Sequence, residues 1–232
     1  MTAVGRTRIK ICGLTREQDV DAAVAAGADA VGFVMYARSP RYVAPARAAE
    51  LARRLPPFVT PVLLFVNEEP TAVLAACELV AGAAVQFHGD ETAEQCLAAT
   101  ANGRYPFLRV ARIPLDAATP FDLVKFAAQH PKAQAILLDA HVEGYGGGGK
   151  AFDWSRLPPS VNCHLVLSGG LTPANVTDGI VQVRPRCKAL AVDVSSGVEV
   201  SASGGSTLKG IKDPEKIHRF VAAVLAADQL LA

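Results

Sequence analysis

The stretch Ala135-Ile-Leu-Leu-Asp139, followed by Ala140-His-Val-Glu-Gly-Tyr-Gly-Gly-Gly-Gly-Lys150, carries the pattern that decides the fold. An apolar run ends in a carboxylate, and the chain then enters a loop rich in glycine. Gly146 to Gly149 have no side chains, so their backbone amides can approach a ligand closely. Long glycine loops are either functional or slack connectors, and both interpretations are open at this point.

Apolar, β-branched runs of this kind occur eight times, and segments with helix signals separate them. They are Arg8 to Cys12, Ala30 to Val34, Thr60 to Phe65, Ala84 to Phe87, Phe107 to Val110, Ala135 to Asp139, Cys163 to Ser168 and Ala189 to Asp193. Near-continuous apolar runs are typical of parallel strands that are buried on both faces. Eight alternations predict a single (β/α)8 barrel domain over residues 1–232. A Rossmann-like open sheet is the alternative, although it usually has fewer repeats.

Two of the connections depart from the regular pattern. Trp154 to Pro159 contains two prolines and leaves room for only a stub of helix. Val200 to Gly210 is a polar Ser/Gly stretch before the last helical segment, Asp213 to Leu231. We expect the second of these stretches to lengthen a surface excursion.

Composition excludes several classes of partner. The chain has 232 residues, of which 50% are hydrophobic, and a formal net charge of +1. Such a chain can bury a large core, but it has no basic field for nucleic acid. No apolar run reaches about 18 residues and the N-terminus has no apolar signal core, so we expect a soluble, cytoplasmic protein without a membrane partner. The five cysteines lack close ligand spacing, which predicts neither a disulfide framework nor a zinc site.

Anion-binding features follow the last two predicted barrel strands. Gly169 and Gly170 stand between a strand and a helix whose start is marked by Thr172 and Pro173. Ser196 and Gly197 follow the next strand. Because barrels often bind phosphate with the loops after strands seven and eight, we predict a phosphate site there, with two ordinary tight turns as the alternative.

Cys12 and Asp139 end the first and sixth strands, which places them well apart around the mouth of an eight-stranded ring. A thiolate can act as a base near neutral pH, and a partly desolvated carboxylic acid can donate a proton. The pair therefore suits an acid-base isomerisation. Taken alone, Cys12 is more often a small buried hydrophobic residue, and this plain structural interpretation holds for Cys77, Cys96, Cys163 and Cys187.

Further polar groups lie at other strand ends. Arg41 follows Ser39-Pro40 and could hold a carboxylate through two hydrogen bonds; a solvated loop charge is the alternative. Gln86 and His88 alternate along one strand and therefore share a face. Lys10 also points inward, where we expect it to pair with a carboxylate such as Asp193 and to support the site from the barrel interior.

Two nucleotide motifs are nearly matched in the glycine loop, and both are rejected. Gly144 to Ala151 resembles a Walker A loop, but Ala151 stands where a hydroxyl must hold magnesium. Gly144, Gly146 and Gly149 have the dinucleotide spacing, yet no long helix follows and no acidic residue lies about 20 positions on.

The strand ends, taken together and in order, resemble the phosphoribosylanthranilate isomerases of tryptophan biosynthesis. The resemblance is carried by Lys10-Ile-Cys-Gly-Leu-Thr15, Ser39-Pro-Arg-Tyr42, Val85-Gln-Phe-His-Gly89, Leu138-Asp-Ala140 with Gly149-Lys-Ala-Phe-Asp-Trp154, Ser168-Gly-Gly-Leu171 and Val192-Asp-Val-Ser-Ser-Gly-Val-Glu199. It extends from Arg8 to the final helix, and six ordered motifs make chance agreement very unlikely.

The resemblance implies an Amadori rearrangement of N-(5-phosphoribosyl)anthranilate to 1-(o-carboxyphenylamino)-1-deoxyribulose 5-phosphate, with no metal or cofactor. It implies Asp139 as acid, Cys12 as base and Arg41 as the group that holds the substrate carboxylate. Two departures stand out: Gly148 replaces the usual Thr or Ser, and the tract from Glu199 to Lys212 is longer than usual. We expect Gly144 to Lys150 to form a lid over Asp139 rather than the phosphate site.

Two other functions remain as alternatives. The related isomerase of histidine biosynthesis is known for a carboxylate at the end of its first strand, where this chain has Cys12. A non-catalytic phosphosugar-binding barrel would be expected to lack the acid or the base, and both are present here. The sequence leaves the oligomeric state, monomer or homodimer, open.

Overall fold

The computed structural model describes residues 5–116, 121–141, 152–202 and 206–231. Eight parallel strands form a closed barrel in which each strand pairs with its neighbours in the chain, and β8 returns to β1. The strands are β1 (Arg8–Cys12), β2 (Ala30–Val34), β3 (Thr60–Phe65), β4 (Ala84–Phe87), β5 (Phe107–Pro114), β6 (Ala135–His141), β7 (Val161–Leu167) and β8 (Cys187–Val194). The predicted (β/α)8 barrel is therefore confirmed.

Helices occupy most of the connections and the C-terminal segment. They are α1 (Glu17–Ala26), α2 (Pro45–Ala52), α3 (Pro70–Leu79), α4 (Ala93–Ala98), α5 (Leu123–Gln129), α6 (Val176–Val183) and α7 (Pro214–Leu230). The sixth connection has only the 3₁₀ turn Trp154–Arg156 in its described part, as the two prolines predict. No helix among the described residues is both long and apolar enough to cross a membrane.

Side chains alternate between the two faces of each strand because the strand repeat is two residues. On β6, Ile136 and Leu138 pack in the main core with the helices, whereas Leu137 packs in a separate interior cluster with Val110 and Val166. The same alternation on β1 sends Ile9 and Ile11 outward. Inward positions near the carboxyl ends of the strands are therefore the ones that can line the barrel mouth.

The stretch after β8 is more than a surface excursion, and that expectation was wrong. Its described residues form β9 (Glu199–Ser201) and β10 (Thr207–Lys212), which pair as a two-stranded antiparallel sheet. Glu199 and Lys212, which are register partners in this sheet, are almost completely buried. Thr15 Oγ1 donates to the carbonyl oxygen of Gly210 at 2.8 Å, so the sheet is tied to the loop after β1.

Candidate active site

The inward positions of β1, β2 and β8 place three of the predicted residues together. Lys10 and Asp193 are register partners on adjacent strands, and Lys10 Nζ donates to Asp193 Oδ1 at 2.8 Å. Both side chains are buried. This contact was predicted from the sequence and is confirmed. Cys12 lies one inward position further along β1, and Gly32 is its register partner on β2.

Gly32 is required beside Cys12 because the thiol fills the space that a side chain would use. An ideal Cβ at Gly32 would lie 2.6 Å from Cys12 Sγ and 3.1 Å from Lys10 Nζ. On its other sides the Cys12 side chain packs in an apolar cluster, whose buried members are Val34, Leu64 and Val66. The sulfur is thus held between an ammonium group and an apolar wall.

The burial of Cys12 determines which protonation form of its side chain predominates near neutral pH. Burial raises the pKa of the thiol, the Lys10 ammonium opposes that effect, and the Asp193 charge adds to it. Burial is the largest single effect and disfavours the charged form of Lys10, but Asp193 and the Cys12 sulfur together outweigh it and keep the pKa of Lys10 above its ordinary value. The thiol is therefore the resting form near neutral pH, and Lys10 is a permanent cation beside it.

Asp139 is buried at the inward face of β6 and hydrogen-bonds to two groups. His88 Nε2 lies 3.0 Å from Asp139 Oδ2, and Gln86 Nε2 lies 3.2 Å from His88 Nδ1. The backbone N–H of Ala140 donates to Asp139 Oδ1 at 2.9 Å. The shared face predicted for Gln86 and His88 therefore leads directly to the acid. With Nδ1 accepting from Gln86, His88 carries its hydrogen on Nε2 and donates it to the carboxylate.

The same network also accommodates Asp139 as an acid. Gln86 Oε1 is buried and has no hydrogen-bond partner among the described residues. A half-turn of the Gln86 amide would offer this oxygen to a hydrogen on Nδ1, and His88 Nε2 would then accept from a protonated Asp139. His88 therefore has two hydrogen-bond arrangements, one for each protonation form of Asp139.

The two predicted phosphate loops are formed by glycines that no other residue could replace without a shift. Gly169 and Gly170 have φ values of 78° and 66°. A Cβ at Gly169 would lie 2.9 Å from Asp139 Oδ1, and a Cβ at Gly197 would lie 1.9 Å from the carbonyl oxygen of Leu171. The two loops therefore touch each other, and the first of them also touches Asp139.

Unpaired donors face this junction. Within the part of the chain that the structure describes, the backbone N–H groups of Gly170, Ser196 and Gly197 donate to no protein acceptor. The predicted helix start at Thr172 and Pro173 was wrong, since α6 begins at Val176. The intervening turn is held by Thr172 N–H, which donates to Asn175 Oδ1 at 2.8 Å. Backbone amides of the turns, more than the helix end, are thus the available anion donors.

Arg41 is not a solvated loop charge. Its side chain is only 8% exposed, and its Nε and Nη2 donate to the two carboxylate oxygens of Glu199 at 2.7 and 2.8 Å. The aliphatic part of the Arg41 side chain packs on Gly13, where an added Cβ would lie 2.5 Å from Arg41 Cδ. Among the described residues, Nη1 has no acceptor, so this end of the fork can receive a ligand carboxylate.

Glu199, Lys212 and Gly32 were not singled out from the sequence. Glu199 ends the quoted motif after β8, but no pattern joins it to Arg41, which lies 158 positions away. Lys212 is a charged residue in a polar stretch, which usually indicates a solvated position. Gly32 stands in the middle of an apolar run, and an isolated glycine inside a strand is a signal of close approach that was available.

The glycine loop Gly144 to Lys150, and with it the lid and the effect of Gly148, lies outside the described residues. Within the described residues, no group of three or more His, Cys, Asp or Glu side chains is arranged to hold a metal ion.

Comparison with known proteins gives a consistent answer. A family model described as N-(5'-phosphoribosyl)anthranilate (PRA) isomerase matches residues 9–223. The curated N-(5'-phosphoribosyl)anthranilate isomerase of Methylibium petroleiphilum is 61% identical over 228 residues, which cover 98% of each chain.

Solved structures agree with the sequence comparison. The phosphoribosyl anthranilate isomerase of Thermotoga maritima is 40% identical with a TM-score of 0.80, over 95% of this chain and 99% of that one. A similar structure, 36% identical with a TM-score of 0.74 and the same coverage, contains reduced 1-(o-carboxyphenylamino)-1-deoxyribulose 5-phosphate. A further one, 36% identical with a TM-score of 0.76, covers 94% of this chain and 98% of that one, and shows monomers generated from the dimeric Thermotoga maritima isomerase.

Proposed function

The chain belongs to the N-(5'-phosphoribosyl)anthranilate isomerase family, and from that membership we infer how its barrel mouth performs the reaction. It catalyses the Amadori rearrangement of N-(5'-phosphoribosyl)anthranilate to 1-(o-carboxyphenylamino)-1-deoxyribulose 5-phosphate, a step of tryptophan biosynthesis. The histidine-pathway isomerase and the non-catalytic phosphosugar barrel are thereby set aside. The roles of individual residues are our proposal.

Asp139 acts as the general acid. It protonates the furanose ring oxygen while the anilino nitrogen lone pair opens the ring to a Schiff base. This role is supported by the burial of Asp139 and by the His88 and Gln86 network, which can serve both of its protonation forms. His88 and Gln86 are positioning residues, because they touch the acid rather than the substrate.

Cys12 acts as the general base: after its thiol has lost its proton to solvent, the thiolate removes the proton from the second carbon of the sugar. The electron pair of that C–H bond moves into the new carbon-carbon double bond, the Schiff base nitrogen is neutralised, and the resulting enolamine tautomerises to the aminoketose. Lys10 supports the thiolate by its charge, and Asp193 holds Lys10 in place. The apolar cluster beside the sulfur keeps water away from the base.

Two anion sites hold the substrate between base and acid. The free Nη1 end of Arg41 binds the anthranilate carboxylate, and the amides of Gly169, Gly170, Ser196 and Gly197 bind the phosphate. Fixing both ends places the reacting carbon between Cys12 and Asp139, and such positioning contributes several kcal/mol to catalysis. The observation that carries the proposal is this placement of a thiol and a carboxyl on inward strand ends beside two anion-binding loops.

The test compares Cys12→Ala and Asp139→Asn with wild type in turnover and in binding. We expect each variant to lower kcat by orders of magnitude and to bind reduced 1-(o-carboxyphenylamino)-1-deoxyribulose 5-phosphate nearly as well as wild type. Cys163→Ala, which changes a partly exposed cysteine on β7, is the matched control and should retain activity. Near-normal turnover in either of the first two variants would remove its assigned role.

We propose further that the chain works in the cytoplasm as one barrel domain and as a homodimer. Phe58 is 99% exposed and has a φ of 72°, and Pro57 and Pro61 line a groove beside it. The proposal is supported by the dimeric isomerase of Thermotoga maritima, and the position of Phe58 beside this groove makes it the residue to test. Light scattering after size exclusion should give the dimer mass for wild type and for Leu79→Glu, and the monomer mass for Phe58→Glu.

A further inference from the structure

Lys212 is the most deeply buried cation among the described residues, and none of the roles above uses it. Its side chain is completely buried at the end of β10. Nζ donates to the carbonyl oxygen of Ser195 at 2.9 Å, to Ser195 Oγ at 3.4 Å and to Glu199 Oε1 at 3.4 Å. A buried ammonium is costly to maintain, so its three acceptors require an explanation.

These contacts join the two proposed anion sites. Glu199 binds Arg41 on one side and Lys212 on the other. Lys212 in turn holds Ser195, the residue before the turn that supplies the Ser196 and Gly197 amides. A continuous chain of hydrogen bonds therefore runs from the carboxylate end of the site to the phosphate end.

The charge of this cluster depends on Lys212. Glu199 carries one negative charge that neutralises Arg41 through two hydrogen bonds. With the Lys212 ammonium present, the cluster has a net charge of +1; without it, the net charge is zero. An anionic ligand at Arg41 gains from the first arrangement and little from the second, because Coulomb attraction is strong in a buried site.

We propose that Lys212 is a positioning residue that keeps the cluster of Arg41, Glu199 and Lys212 cationic and fixes the Ser195 turn, so that both ends of the substrate are bound. This proposal rests on the function assigned above, in which Arg41 receives a carboxylate and the turn receives a phosphate. It gives Glu199 the complementary role of orienting Arg41 while Lys212 compensates its charge.

Titration of Lys212 supplies the means of testing this. Burial lowers the pKa of its ammonium to about 8, against the opposing attraction of Glu199. The other charged groups that affect Nζ are Arg41 and the Cys12 sulfur, and Asp19 accepts from the Lys212 backbone N–H at 3.3 Å. The protonated fraction of Lys212 should therefore fall from about 0.9 at pH 7 to about 0.1 at pH 9.

The first measurement is the affinity of wild type for two probes between pH 7 and pH 9. Anthranilate reports on the Arg41 end and sulfate on the phosphate end, and neither probe changes its charge in this range. We expect the Kd for anthranilate to rise about fivefold and the Kd for sulfate to rise in the same direction. If the Kd of neither probe changes with pH, the proposal is overturned. This test is valid even if no variant of Lys212 folds.

The second measurement uses Lys212→Met with Lys209→Met as control, because Lys209 is an exposed lysine on the same strand. Lys212→Met should bind anthranilate about tenfold more weakly than wild type at pH 7 and should lose the pH dependence. Lys209→Met should match wild type throughout. If Lys212 had only a structural role, the Kd of Lys212→Met would still depend on pH. A pH dependence that persists in this variant therefore contradicts the proposal.

A measurement of turnover distinguishes failure of this proposal from failure of the proposed function. Wild type must convert N-(5'-phosphoribosyl)anthranilate if the function is right, whatever Lys212 does. Turnover combined with anthranilate affinity that is equal in wild type and Lys212→Met would reject the role of Lys212 alone. Absence of turnover would reject the function, and the binding series could still be measured.

Discussion

Replacing Gly32 by Ala tests the position of the base without changing the charge of any residue, although the new Cβ would also lie 3.1 Å from Lys10 Nζ. The new Cβ would lie 2.6 Å from Cys12 Sγ, whereas ordinary van der Waals contact lies between 3.4 and 4 Å. The Cβ would also lie 3.1 Å from the backbone Cα of Cys12, which has little freedom to move inside the barrel. The sulfur must therefore retreat by about 1 Å.

A shift of this size has a calculable effect on rate. A displacement of about 1 Å at a reacting group costs roughly 10²-fold in rate, which corresponds to about 2.7 kcal/mol of transition-state stabilisation. We therefore expect kcat of Gly32→Ala to fall about 100-fold. Arg41 and the loops after β7 and β8 are not displaced, so the Kd for reduced 1-(o-carboxyphenylamino)-1-deoxyribulose 5-phosphate should change by less than about threefold.

The assay follows the loss of fluorescence as freshly made phosphoribosylanthranilate is consumed. Gly5→Ala is the control, because an added Cβ there has no atom within 4 Å. Thermal melting of each variant shows whether the barrel is retained. If Gly32→Ala folds normally and keeps kcat within threefold of wild type, Cys12 does not act as a base from the position described.

Three other predictions follow from contacts at the mouth. Gly197→Ala would place a Cβ 1.9 Å from the carbonyl oxygen of Leu171, so the two phosphate loops must separate. We therefore expect KM to rise more than tenfold. An unchanged KM in steady-state kinetics would contradict the phosphate assignment. Arg41→Ala should mainly raise KM. It should also lower the free energy of unfolding by about 3 kcal/mol, because it leaves Glu199 buried without its main partner. Urea denaturation measures this second effect, and an unchanged midpoint and slope would show that the ion pair is not buried in solution. The folded pKa of Lys212, about 8, lies below its ordinary value of 10.5, so between these pH values the unfolded chain binds more protons and this group makes the free energy of unfolding rise with pH. The difference between wild type and Lys212→Met in urea denaturation should show that rise between about pH 8 and 10.5, and a difference that falls with pH would reverse the sign of the pKa shift.

The barrel could be predicted from the sequence because its strands are nearly all apolar and the connections carry clear helix signals. β1 to β4 have the predicted ends. The start of α6 could not be predicted, because Thr172 and Pro173 satisfy the usual rules for a helix start while a turn closed by Asn175 delays the helix. Local propensity does not distinguish these two outcomes.

The residues of the site also fall into two groups: those that local patterns identify and those that they do not. Alternation on a strand is a local rule, and it placed Lys10, Cys12 and Asp139 inside the barrel. The contact between Arg41 and Glu199 depends on where a loop and a later strand meet in space, and no periodicity reports that. Lys212 was missed for a related reason, since its burial comes from partners on other elements rather than from its neighbours in the chain.

The sheet formed by β9 and β10 has a consequence for how the protein is made. It ties the last quarter of the chain to the first loops: Lys212 N–H reaches Asp19 across 193 positions, and Gly210 accepts from Thr15 across 195. Contacts between such distant residues slow folding, because a long loop must close before they form. A chain emerging from the ribosome therefore has no complete mouth until Lys212 has been synthesised, and the site cannot be active before that point.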